Sequence, residues 1–66
     1  MPQCNSEGIA EFIRLIEDLS ECIEEMSDYE RRFVEDNFDR TEKYGDKTVV
    51  SETQLEFARK LYSKVF

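Results

Sequence analysis

The sequence predicts an all-helical fold, a small three-helix bundle with helices over about 6–26, 28–44 and 52–65, and three observations carry that prediction. Apolar residues recur at helical spacing through the first third of the chain, two Ser-x-x-Glu/Gln boxes mark helix starts, and a glycine follows the second apolar run. Sixty-six residues make one domain, 1–66, whose core is small, so a second copy would add useful burial and a homodimer fits the expectation.

In the first helix Ile9, Phe12, Ile16, Leu19, Ile23 and Met26 alternate steps of three and four, and Ile13, Leu15 and Cys22 widen the stripe. Ser6 is the expected N-cap, with Glu7 at the positive end of the helix dipole. Continued by sevens, the stripe would next reach Glu30, Phe33 and Asn37, so its register fails and the helix is expected to stop or kink after Met26. As core the stripe packs on the rest of the chain; as a seam it pairs with a second copy.

The second helix begins at a Ser-x-x-Glu capping box, Ser27-Asp28-Tyr29-Glu30. Tyr29, Phe33, Val34, Phe38 and Tyr44 are expected inward. Asp28 with Arg32, Asp36 with Arg40 and Asp39 with Lys43 stand as i, i+4 pairs, each contributing about 0.2–0.5 kcal/mol. Gly45 supplies the left-handed residue that ends the helix. After an extended loop through Thr48-Val49-Val50, with no second strand to pair it, Ser51-Glu52-Thr53-Gln54 opens the third helix, and Val50 and Leu55 form its hydrophobic staple. Leu55, Ala58, Leu61, Tyr62 and Val65 make its stripe, and Phe57 sits off it.

Several chemistries are excluded. The chain has no histidine, which removes the commonest general base, the commonest metal ligand and any Ser/His or Cys/His nucleophile. Glu-x-x-His pairs are absent, and Asp36-Asn37-Phe38-Asp39 lacks the spacing and glycine of a calcium loop. Three short helices are also expected to lack a cleft of several hundred cubic ångströms. No catalytic residue, metal or cofactor is therefore expected, and the chain does not read as an enzyme. Cys4 and Cys22 show neither paired spacing nor a secretory apolar segment, which points to reduced thiols in the cytoplasm, with Cys4 in a terminus expected to fray. Apolar runs stop at two residues, where a membrane span needs roughly 18.

Charge is the informative property. Net charge is -7; residues 1–28 hold eight acids and one base, Arg14, while residues 29–66 hold eight of each. Glu17, Asp18, Glu21, Glu24, Glu25 and Asp28 carry the excess and are the candidate partner-binding residues. On a continuous helix, Glu17, Glu21, Glu24 and Asp28 would space their charges by about 4.5–6 Å. One DNA strand carries a charge per about 3.4 Å. Such a row imitates a phosphate backbone and suits a protein with a basic surface, while its sign excludes direct binding of nucleic acid and repels anionic membrane. Acids at a helix C-terminus oppose the dipole at a cost of about 0.3–1 kcal/mol each, and a local rule broken without local gain marks function. The competing reading makes the acids a solubilising face and gives contact to apolar surface at Ile9, Leu15, Phe57 and Tyr62, as in an accessory subunit.

The run Ser27-Asp28-Tyr29-Glu30-Arg31-Arg32-Phe33-Val34-Glu35, with Glu42-Lys43-Tyr44-Gly45, Ser51-Glu52-Thr53-Gln54-Leu55 and Lys60-Leu61-Tyr62, resembles a short helical hairpin module of small bacteriophage and prophage proteins of unassigned function. The resemblance covers residues 26–65 and implies a viral or mobile-element origin. Small acidic proteins of that kind are similar in behaviour to inhibitors of host defence, anti-CRISPR proteins among them. Taken with the acidic face, a phage origin leads to the expectation of a host nucleic-acid-binding protein as partner and the host cytoplasm as setting. The acidic first helix is an addition to that module.

Overall fold

Two serines start two of the helices by satisfying amides that a helix leaves open. The computed structural model describes residues 3–66, Asp46 by its backbone alone. Ser27 Oγ accepts from the Glu30 amide at 3.4 Å while the Ser27 amide donates to Glu30 Oε1 at 3.1 Å. Ser51 and Gln54 repeat the exchange at 3.2 and 3.0 Å. These boxes open α2, Asp28–Tyr44, and α3, Glu52–Val65. Val50 and Leu55, the expected staple, are both buried in one core cluster.

The first helix, α1, spans Ser6–Ser20, and both ends differ from expectation. Asn5, not Ser6, is the N-cap: its side chain accepts from the Gly8 amide at 2.9 Å. The reason lies just upstream, where the Cys4 amide donates to the Val50 carbonyl at 2.8 Å and Gln3 pairs antiparallel with Ser51, holding the chain extended up to Asn5. The Thr48–Val50 segment is an extended loop outside any strand, as expected, and Ser51 after it makes one isolated bridge with Gln3. Cys4 is half-buried against the core, not frayed. Gly8 makes that approach feasible, because a Cβ there would stand 2.8 Å from the Cβ of Cys4.

At its other end α1 stops six residues before Met26. Glu17, Asp18 and Glu21 crowd a helix terminus whose last turn holds no base. Competing acceptors and donors complete the break. Ser20 Oγ donates to the Glu17 carbonyl at 2.7 Å, a single 3₁₀ turn forms over Ile23–Glu25, and Arg31 Nε donates to the Ile23 carbonyl at 3.3 Å. Ile23 and Met26 still reach the core, since residues three apart eclipse in a 3₁₀ turn.

α1 is the central helix and packs on both α2 and α3, which approach each other little along their backbones. Phe12 and Ile16 join Val50, Leu55 and Ala58 in one buried cluster; Leu19 joins Met26, Val34 and Leu61 in a second. Phe33 packs against both and meets Phe12 edge-on at 6.3 Å between centroids. The apolar stripe of α1 is therefore core within a single chain.

On α2 the inward set is not the expected one. Tyr29 and Tyr44 are 74% and 52% exposed, whereas Asn37 and Thr41 are buried. Their side chains are satisfied within the helix itself, Asn37 Nδ2 donating to the Phe33 carbonyl at 2.8 Å and Thr41 Oγ1 to that of Phe38 at 3.0 Å. Gly45 ends α2 with the expected positive φ of 57°, but its ψ of -132° lies outside the left-handed helical region and leads into a 3₁₀ turn, Gly45–Lys47. Buried Thr48 closes that turn by donating to the Gly45 carbonyl at 2.6 Å.

The expected i, i+4 ion pairs of α2 do not form. Among the described residues the ion pairs instead join separate helices, Arg59 to Glu11 at 2.6 Å and Lys64 to Glu30 at 2.9 Å. An exposed pair along one helix gains little over two hydrated charges, while bonds between helices also fix their register. No helix among the described residues is long and apolar enough to cross a membrane.

Candidate acidic interface

Six carboxylates and no base fall within residues 17–28, so this one stretch holds nearly the whole net charge of the chain. Glu17, Glu21, Glu24, Glu25 and Asp28 are exposed and Asp18 is half-buried. The break in α1 redistributes them. Glu17 and Asp18 occupy its last turn, Glu21 is its C-cap, Glu24 and Glu25 lie on the 3₁₀ turn, and Asp28 opens α2. The regular file of charges drawn on a continuous helix is thus replaced by an acidic corner.

Its two ends look different ways. Glu17 borders a shallow recess with Phe38, Thr41 and Glu42, on the flank shared by α1 and α2. Asp28 stands near Arg32, Glu35 and Asp36. Among the described residues none of the six enters an ion pair, so their charge faces solvent uncompensated by a bound lysine or arginine. Asp28 alone sits well with the backbone, at the positive end of α2.

Two carboxylates outside the corner, Glu11 and Glu30, each bond a base on α3. A hydrogen bond from Arg59 holds the pKa of Glu11 below its ordinary value, and Glu11 in turn raises that of Arg59. Glu30 is lowered first by its hydrogen bond from Lys64 and then by the Ser27 amide. These acids tie the bundle together, and the corner has none of that duty.

Two open clefts depart from the expectation of none. The larger, of about 500 Å³, groups Glu7, Glu11, Glu52 and Glu56 around Arg59 at the start of α1 and α3. Its signal was present in the sequence as two acid pairs at i, i+4, one in each helix's opening turns. The other, of about 470 Å³, lies between α2 and α3 and is walled by Tyr29, Phe33 and Phe57. Among the described residues no group of three or more Cys, Asp or Glu side chains is arranged to hold a metal ion.

Ile9, Leu15, Phe57 and Tyr62, the apolar contact candidates, are each half-buried against the core clusters. Part of their surface is already spent inside the chain. No protein family, curated protein or solved structure matches this chain.

Proposed function

We propose that this protein is an interaction protein whose acidic corner, Glu17, Asp18, Glu21, Glu24, Glu25 and Asp28, docks on the basic surface of a nucleic-acid-binding protein and keeps nucleic acid off it. The observation that carries the reading is that six carboxylates crowd twelve residues with no base among them and none enters an ion pair within the described chain. Like charges close in sequence cost stability, and of the six only Asp28, at the positive end of α2, gains from the fold; the gain for the others arises when a cationic surface arrives.

A corner of charges suits a concave basic surface better than a straight groove, and long-range attraction would speed association. One chain carries the whole corner, so the contact needs no second copy. The likeness of residues 26–65 to phage hairpin modules supports a host defence protein as the target and the host cytoplasm as the place of action.

Capture from a bacterial lysate tests the reading, comparing the wild type with a Glu21→Gln, Glu24→Gln, Glu25→Gln variant. The expected result is one or more nucleic-acid-binding proteins retained at low ionic strength, released as salt rises through about 0.15 M, and lost from the variant. Equal capture by both proteins at every salt concentration would sink it and favour contact through apolar surface, which ionic strength hardly affects.

A further inference from the structure

The flank shared by α1 and α2 holds a recess of about 120 Å³, walled by Ile13 and Glu17 from α1 and by Phe38, Thr41 and Glu42 from α2. That is room for one side chain, well short of the roughly 300 Å³ or more that a cofactor or drug-sized ligand takes. Ile13 and Phe38 are half-buried and give the recess apolar walls, while Glu17 and Glu42 are exposed. Among the described residues neither carboxylate enters an ion pair. Arg14, Arg40 and Lys43, the bases nearest them in sequence, are not among the walls, and the Lys43 ammonium stands over the Tyr44 ring instead, 5.5 Å from its centroid.

Thr41 supplies the third polar group, and it calls for a donor. The residue is only 6% exposed, and its hydroxyl gives its single proton to the Phe38 carbonyl at 3.0 Å. The oxygen keeps its lone pairs and receives no hydrogen bond among the described residues, so each polar side chain of the recess presents acceptors alone. An occupant that suits all five walls carries N–H groups, positive charge and an apolar stem. We propose that this recess receives the side chain of one lysine of the partner, an inference that rests on the acidic corner, of which Glu17 is one end, being the contact surface. The methylenes lie against Ile13 and Phe38, as lysine stems do on apolar surface, and the ammonium brings three donors to three acceptor side chains. Arginine suits the recess less well, because its planar fork of five donors is matched to bidentate pairing with one carboxylate. Glu42, outside the corner, thereby joins the contact.

Methylation separates hydrogen bonding from charge. The probes are a peptide of nine lysines and its counterpart with every ammonium trimethylated, which keeps the charge and removes the donors. The lysine peptide should bind about fivefold tighter or better and should shift the methyl NMR signals of Ile13 and Thr41. The trimethylated peptide should leave those two signals in place while still shifting the amide signals of Glu21, Glu24 and Glu25. Glu42→Gln, at an exposed position outside the corner, should bring the lysine peptide down to its counterpart. Thr41→Val, which keeps the shape of the side chain and removes the acceptor, should do the same. The Glu21→Gln, Glu24→Gln, Glu25→Gln variant should weaken both peptides in parallel. Equal affinities with the Ile13 and Thr41 signals unmoved would overturn the recess and leave the acidic corner standing. Unweakened binding of both peptides by the triple variant would overturn the corner and, with it, the partner named here, and no binding of either peptide would remove the recess and the corner together.

Discussion

At the scale of single residues, stability rests on caps and buried side chains. Removing the Ser51 hydroxyl leaves the Gln54 amide open, so Ser51→Ala should cost about 1 kcal/mol in chemical denaturation. Ile16 is fully buried, and Ile16→Ala should cost about 2–5 kcal/mol, a large share of what so small a domain has. Tyr44→Ala, at a half-exposed site on the outer side of α2, should fall within about 0.5 kcal/mol of the wild type. The sign of the pH response follows from two carboxylates. Glu11 and Glu30 have folded-state pKa values below the ordinary 4.5, so their contribution is present above pH 4.5 and is lost as pH falls through the lower folded values. Thermal unfolding measured from pH 6 down to pH 2 should show that loss, and Glu11→Gln with Glu30→Gln should flatten it. Both capping boxes were readable from spacing alone because they are local in sequence. The exchange of Tyr29 and Tyr44 for Asn37 and Thr41 in the interior was not. Phase on the helix outweighs side-chain polarity when a short polar group can bond its own helix's carbonyls three or four residues back.

At the scale of elements, the break after Ser20 decides the shape of the interface. The apolar spacing continued smoothly to Met26, because a 3₁₀ turn sets Ile23 and Met26 on one side much as a helix would. Hydrophobic periodicity therefore could not register the break. The run of acids with no base in the last turn of α1 did contain the information, and so did Arg31, whose reach back to the Ile23 carbonyl links α2 to the turn. Replacing Glu21 by Lys puts a cation at the negative end of α1 and should stabilise the fold by about 0.3–1 kcal/mol while weakening partner capture. Stability and binding moving in opposite directions in one variant would separate a functional acid from an ornamental one. The N-terminal pairing of Gln3 and Cys4 with the Val50–Ser51 segment was invisible for a different reason, since two residues of extended chain carry no periodic signal and the contact spans the length of the chain.

For the whole molecule, the all-helical class and the positions of α2 and α3 followed from the sequence, while the packing of α1 at the centre with α2 and α3 splayed around it did not. That splay opens the aromatic cleft, and the three rings that wall it meet in a way no spacing encodes. The accessible surface is 4807 Å², and a contact of standard size takes about 800 Å² from each partner. Roughly a sixth of this small surface thus suffices for such a contact.

Occupation of a site otherwise held by nucleic acid is the core of the proposal, and displacement measures it. A fluorescent duplex oligonucleotide bound to the captured partner is titrated with this protein, and its anisotropy is followed at low and at physiological salt. Full release of the duplex is expected, at concentrations that rise steeply with ionic strength and rise again for the Glu21→Gln, Glu24→Gln, Glu25→Gln variant. A ternary complex, with protein and duplex held by the partner at once, would contradict it.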